Sequence, residues 1–173
     1  MSIASIRRKT FGNAEVFGVE VEYEEPEGEF VDRLARLSYL LLGQKLGSTE
    51  FYEVEDIGAA MKWVRGDCGR RTGGPLCSCT ADDAFRWIVS ILSDEVSAAP
   101  HASRFPVDVA RFNLSFHPTH GSGWLILIAC SGEGRILYRK SMDADLVVAV
   151  APISTIEEAL VEAHSFLESL VSH

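Results

Sequence analysis

The chain has 173 residues, the length of one ordinary domain, which is enough to bury a core without a metal or a disulfide framework. Hydrophobic residues make up 47% and charged residues 24%, a composition typical of folded globular proteins and not of disordered ones. Twenty-five acidic and 16 basic residues give a net charge of -9, which disfavours direct binding to nucleic acid or to an anionic membrane surface.

The amino-terminal sequence MSIASIRRKTF has too few consecutive apolar residues to act as a signal peptide. The longest hydrophobic run, Trp124–Cys130, is far shorter than the ~20 residues that span a membrane. We therefore expect a cytoplasmic protein. In that reducing compartment we expect free thiols at all four cysteines, which are Cys68, Cys77, Cys79 and Cys130.

The first predicted strand lies in VFGVEVEYEE, where apolar and acidic residues alternate with the period of two that a half-buried strand requires. Its other face is a row of carboxylates. The row lies in a longer stretch, residues 14–29, that has no lysine or arginine. Two interpretations remain open: a solvated strand face, or a docking surface for a basic partner. The seven glutamates of the stretch are Glu15, Glu20, Glu22, Glu24, Glu25, Glu27 and Glu29.

A turn at residues 25–28 separates this strand from FVDRLARLSYLLLG, which predicts a second strand that becomes apolar on both faces. We expect the two strands to pair as a hairpin. In that pairing Arg33 and Arg36 would lie near the glutamates of the first strand and neutralise part of the carboxylate row. Such neutralisation would count against the docking interpretation.

Apolar residues recur at helical spacing over residues 54–65, which predicts a short amphipathic helix. Two glycines end it, and the loop GDCGRRTGGPLCSC follows. Thr80 then opens a second helix with a capping-box pattern. The first turn of that helix carries two more carboxylates, Asp82 and Asp83.

The second half of the chain predicts three antiparallel strands in a meander, VARFNLSFH, WLILIAC and RILYRK. A short extended stretch, residues 146–150, precedes a final helix that begins near Ser154 with capping signals. This order of elements favours the α+β class. We expect an antiparallel β-sheet of about five to six strands, covered by three helices, in a single domain over residues 1–173.

The residue types that carry chemistry form no recognisable catalytic motif. Cys68, Cys77 and Cys79 lack the paired C-x2-4-C spacing of a zinc site. Arginines near Cys68 would favour a thiolate, yet the sequence offers no convincing general base. A nucleophile elbow, a P-loop and a dinucleotide fingerprint are all missing. We therefore expect a binding protein without metal or cofactor, and not an enzyme.

Several short motifs occur in a fixed order: FGNAEVFGVEVEYE, LLLGQKLG, MKWVRGDCGRR, GGPLCSC, RFPVDVARF, and GRILYRK followed by IEEALVEAHSFL. In this order they resemble the immunity proteins of contact-dependent growth inhibition and polymorphic-toxin systems, in the numbered immunity family forty-two. The resemblance implies a small cytoplasmic antidote that binds the toxic C-terminal domain of a sibling cell's effector. It transfers no catalytic residue, and it implies that Asp67, Gly69 and Arg71 shape their loop through Asp–Arg pairing.

The resemblance and the net charge lead to one mechanism. Many toxins of such systems are nucleases with basic substrate grooves, so an acidic protein would compete there with the phosphate backbone. The expected partner is a cognate toxin domain, with neither nucleic acid nor a membrane as a direct ligand. The predicted partner-binding residues are Glu20, Glu22, Glu24, Glu25, Glu27 and Glu29, followed by Asp82 and Asp83.

Two other classes of protein remain open. A small thiol-dependent enzyme would use Cys68 or Cys77, and replacement of either by serine would abolish its activity. An acidic adaptor unrelated to toxins would bind a partner but would rescue no poisoned cell.

Overall fold

The computed structural model describes residues 5–25, 33–47, 49–93, 109–115 and 123–171. The described residues form eight strands and three helices, and the predicted α+β class with antiparallel pairing and three helices is confirmed. The strands form two sheets, where the sequence predicted one sheet of about five to six strands. The strands are β1 (Ile6–Asn13), β2 (Phe17–Glu24), β3 (Leu34–Leu41), β4 (Gln44–Gly47), β5 (Tyr52–Glu53), β6 (Trp124–Cys130), β7 (Glu133–Arg139) and β8 (Val147–Pro152). The helices are α1 (Val54–Gly66), α2 (Ala81–Leu92) and α3 (Ile153–Val171).

The larger sheet contains five strands in the order β1-β2-β3-β4, with β5 also paired to β3. The predicted hairpin is confirmed, because β2 and β3 pair antiparallel with Glu22 opposite Arg36. Strand β1 precedes the segment that the sequence pattern marks as the first strand. It escapes the pattern because it is an edge strand whose only buried residue is Phe11.

The smaller sheet is the antiparallel meander β6-β7-β8. The extended stretch expected near residue 146 is confirmed as β8. The strand predicted in VARFNLSFH is wrong in its first part, because Val109–Phe112 forms a 3₁₀ turn. Asn113 makes one isolated bridge to Ile126, and its side-chain oxygen accepts a hydrogen bond from the backbone N–H of Ser115. This local turn takes the place of the continuous strand pairing that the sequence pattern predicted for these residues.

Two apolar cores lie on opposite faces of the smaller sheet, because the buried strand β6 alternates its side chains between them. Leu127 joins the core that the smaller sheet shares with the larger sheet, α1 and α3. Ile126 joins the core beneath α2. This arrangement explains why WLILIAC is apolar on both faces.

The helices use the core faces that their spacing predicts. Thr80 caps α2 by accepting a hydrogen bond from the N–H of Asp83, as expected from the capping-box pattern. Helices α1 and α3 pack antiparallel, since Arg65 lies beside His164 and Gly69 beside Glu157. In the part of the chain that the structure describes, no helix combines the length and the apolar character needed to cross a membrane.

Candidate protein-binding surfaces

The expectation that the β2 carboxylates face solvent is wrong for two of them. Glu20 is 6% exposed and Glu22 is 3% exposed, although they point away from the apolar core that buries Val19 and Val21. Their neighbours across the sheet explain the burial. Glu22 lies opposite Arg8 on β1 and opposite Arg36 on β3, so cations flank it from both sides.

Five side chains form what we call the buried ionic cluster, after its two buried glutamates: Arg8, Glu20, Glu22, Arg36 and Lys45. The side chains of Arg8 and Lys45 are themselves 62% and 39% exposed. The Nη2 of Arg8 and the Nε of Arg36 each donate to Glu22 at 2.8 Å. The Nζ of Lys45 lies 2.6 Å from both Glu20 Oε1 and Glu22 Oε2. Burial alone would raise the pKa of Glu22, but hydrogen bonds from Lys45, Arg36 and Arg8 outweigh it and lower that pKa to about 2.

The remaining members of the predicted acidic row are dispersed. Glu24 is half-buried, and Glu25 is exposed and pairs with Arg7 at 2.7 Å. Glu27 and Glu29 lie outside the described residues. The prediction that Arg33 lies beside the row is wrong, because this side chain donates to the backbone oxygen of Leu170.

The two secondary candidates sit at the start of α2 and have structural partners. Asp82 accepts a hydrogen bond from the Nε of Arg86 at 2.6 Å and also pairs with the buried Arg139. Hydrogen bonds from Arg86 and Arg139 lower the pKa of Asp82. Asp83 is exposed, and its carboxylate accepts from the hydroxyl of Thr80 at 2.7 Å. Of the two, Asp83 keeps the greater exposure to solvent.

The cysteine-containing loop is held tightly to the smaller sheet. Cys77 and Cys130 form a disulfide with a Cα–Cα distance of 5.6 Å, so the expectation of four free thiols is wrong. The bridge forms because a 3₁₀ turn, Gly74–Ser78, packs against the end of β6. No local signal pairs these two cysteines, which are separated by 53 positions.

Arg71 is fully buried beneath this loop. Its guanidinium donates to the backbone oxygen of Val64 at 2.5 Å, and its Nη1 lies 3.8 Å from Glu157 on α3. Asp67 pairs at 3.3 Å with Arg70. Arginine contacts thus shape the loop: the buried Arg71 approaches Glu157, and the exposed Arg70 pairs with Asp67.

The free thiols lack the setting of a nucleophile. Burial raises the pKa of Cys68, and the nearby Arg71 guanidinium, 3.7 Å from the sulfur, only partly offsets this effect. Cys79 is half-buried, and its thiol donates to the backbone oxygen of Pro75. Within the described ranges, no three His, Cys, Asp or Glu side chains are grouped so as to hold a metal ion.

Surface carboxylates that the sequence analysis missed lie on α1 and on α3. Helix α3 carries four glutamates and no lysine or arginine. Glu158 and Glu162 on α3, and Glu55 and Asp56 on α1, are exposed and have no ion-pair partner among the described residues. The glutamate content of IEEALVEAHSFLES is the signal in the sequence that could have indicated the exposed carboxylates of α3. The apolar spacing of the same segment indicates only its core face.

A groove of about 340 Å³ opens between the two helices. We call it the α1–α3 groove, and it is lined by Glu55, Gly58, Ala59, Lys62, His164, Leu167, Glu168 and Val171. Val171 at its end is 48% exposed. On α1, one helical turn beyond Ala59, Trp63 is 46% exposed, more than a core tryptophan would be. The lining of the α1–α3 groove therefore contains both apolar and charged groups.

His164 is 1% exposed and lines the α1–α3 groove. Its Nδ1 lies 3.4 Å from the Nη1 of Arg65 and 3.5 Å from Glu168. Arg65 can only donate to Nδ1, whereas the Glu168 carboxylate can only accept from it, so the two contacts favour opposite tautomers of the ring. Burial lowers the pKa of His164, with Glu168 opposing that shift and Arg65 and Lys62 adding to it. The neutral ring is therefore favoured.

Compared with protein-family models, with curated proteins and with solved structures, the chain has no match. The resemblance to immunity proteins thus rests on the short motifs of the sequence alone.

Proposed function

We propose that this chain is an immunity protein that binds and neutralises the C-terminal toxin domain, a nuclease, of a contact-dependent growth inhibition effector. It does so by covering the basic surface around the toxin's active site. The proposal rests on the motif resemblance and on one structural observation, which is how the charges are distributed between the interior and the surface.

Most of the described cations are used within the molecule, whereas many carboxylates are not. Arg8, Arg36 and Lys45 neutralise the buried Glu20 and Glu22. Other arginines donate to carbonyl oxygens or lie buried. Within the described residues the exposed cations without a charged or hydrogen-bonding partner are Lys9, which lies over the rings of Phe11 and Phe166, Lys62 and Lys140. The exposed carboxylates without an ion pair, also within the described residues, are Glu15, Glu53, Glu55, Asp56, Asp83, Glu133, Asp143, Asp145, Glu158 and Glu162. Among the described residues, the unpaired carboxylates at the surface therefore outnumber the unpaired cations.

Surface carboxylates of this kind suit a basic partner. Complementary charge raises the association rate and excludes acidic competitors, while a few desolvated apolar contacts slow dissociation. Glu55 and Asp56 supply the charge on α1, and the half-exposed Trp63 on the same helix supplies the type of anchor that dominates many interfaces. We therefore place the docking surface on α1 and α3, with Glu25 and Asp83 retained as peripheral contacts.

The competing functions are weighed by two observations. A thiol enzyme needs a reactive thiolate, whereas burial raises the pKa of the Cys68 thiol. An adaptor would use the same acidic surface, so only rescue of a poisoned cell separates it from an antidote. Cytoplasmic location belongs to this proposal, and in a reducing compartment Cys77 and Cys130 would be held as thiols.

The test pairs binding with rescue. The protein is titrated into the purified C-terminal domain of the large exported protein encoded beside it, at low and moderate salt, and the two are co-expressed in a toxicity assay. We expect tight binding that weakens with salt, together with rescue of growth. A double reversal, E55K with D56K, should raise the Kd and flatten the salt dependence.

A matched reversal at the first residue of β7 and in the loop after it, E133K with D143K, changes the charge equally and should leave binding almost unaltered. Binding without rescue would identify an adaptor. Absence of both would overturn the proposal.

A further inference from the structure

Gly58 occupies an interior position of α1 that has no internal need for glycine. Its φ is not in the left-handed region, and a Cβ built on it would meet no atom within 4 Å. Glycine inside a helix is less stable than alanine. The missing side chain therefore serves neither the backbone nor the packing of this chain, and instead keeps the α1–α3 groove open.

The rest of the groove has the features of a protein-binding surface. Its floor is apolar at Leu167, and its end exposes Val171. His164 lines it with a ring whose Nδ1 lies between the Nη1 of Arg65 and the carboxylate of Glu168.

The shape of the groove favours an occupant that satisfies its own backbone. Within both flanking helices the backbone N–H and C=O groups are paired along the helix, so an added strand would find no ladder to extend. A helix carries its hydrogen bonds internally and can settle between two antiparallel helices, where Gly58 and Ala59 allow close approach. The lining on α1 runs from Glu55 to Lys62, about 10 Å, which is room for about two turns.

The charged residues that line the groove indicate which charge a bound helix would carry. Glu55 on α1 and Glu168 on α3 flank the groove from opposite sides, against one lining cation, Lys62. We propose that the α1–α3 groove receives a short basic amphipathic helix of the toxin domain, which places apolar side chains on Leu167 and Val171 and lysine or arginine near the two glutamates. This inference rests on the proposed immunity function and locates its interface.

The test fills the groove without unfolding the protein. Gly58→Leu places a side chain in the groove, where the Cβ has free space. Gly66→Leu is the matched control, because Gly66 also lies in α1 and its Cβ would meet no atom within 4 Å, yet it does not line the groove. Urea unfolding of both variants should show a midpoint no lower than that of the unaltered protein.

Each variant is then titrated calorimetrically into the toxin domain and assayed for rescue. We expect Gly58→Leu to raise the Kd by roughly tenfold or more and Gly66→Leu to leave it within about twofold. Equal affinities for both would overturn the groove while leaving the immunity function intact. If the unaltered protein does not bind, both proposals fall.

Sedimentation of the protein alone covers the other occupant. A dimer that Gly58→Leu converts to a monomer would assign the groove to a second copy of this chain and overturn the proposal.

Discussion

Strand β2 carries three glutamates and helix α3 carries four, and neither contains a lysine or arginine. Yet Glu20 and Glu22 are buried among cations, while Glu158 and Glu162 stand in solvent. The difference follows from secondary structure. On a sheet the nearest same-face neighbours belong to adjacent strands, whereas on the outer face of a helix they belong to the helix itself. The same acidic composition is therefore neutralised in one case and displayed in the other.

The sharpest way to break this comparison is to reverse one carboxylate in each region. Glu22→Lys would place a fourth cation among Arg8, Arg36 and Lys45 and leave Glu20 as their one carboxylate. Breaking a buried ion pair typically costs ~3–5 kcal/mol, so we expect the free energy of unfolding to fall by about that amount in a urea titration. Glu162→Lys makes the same change of charge on α3, where a surface substitution typically changes stability by less than ~0.5 kcal/mol.

Similar losses for both variants would contradict the comparison. So would a stable Glu22→Lys protein with lost toxin binding, which would restore β2 as the docking surface.

The effect of acid on stability is a second test of the buried glutamates. The pKa of Glu22 is about 2 in the folded protein against 4.5 as its ordinary value, so its ionised form is stabilised by folding. This contribution is fully present above about pH 4.5 and is lost as the pH falls towards 2. The shift corresponds to about 3 kcal/mol. Urea unfolding measured from about pH 6 to about pH 2 should show the loss.

The control for the acid titration is Glu22→Gln, whose stability should start lower and fall less over the same range. An identical pH profile for both proteins would mean that the buried ionic cluster does not act on stability.

The smallest effect concerns α3 itself. Glu158 and Glu162 are four residues apart on one helix face, where like charges destabilise by ~0.2–0.5 kcal/mol. We expect Glu158→Gln to raise the free energy of unfolding by a few tenths of a kcal/mol at low salt, and less at high salt because of screening. Thermal melts at two salt concentrations would measure this. A loss above about 1 kcal/mol would reveal a structural role for this carboxylate.

Sequence reasoning succeeded where the cause of a structure is local. The Thr80 cap, the buried faces of the helices and the two-faced strand β6 all follow from spacing within one segment. It failed where the cause comes from elsewhere in the chain. Lys45 reaches Glu22 across β3, and Cys130 meets Cys77 from a distant strand. The glutamates of α3 can be counted in the sequence. Only the structure shows that most of them stay exposed while two glutamates of β2 are neutralised by cations.

Arg71 belongs to both halves of the molecule. Its side chain holds the end of α1 and approaches α3, while its backbone oxygen accepts a hydrogen bond from the N–H of Ala129 in the smaller sheet at 2.8 Å. One residue thus links the helix pair that carries the α1–α3 groove to the sheet that supports α2. If the two were pulled apart, the buried guanidinium would lose its acceptor on Val64 or β6 would lose the hydrogen bond from Ala129, so Arg71 holds the helices of the groove against the smaller sheet.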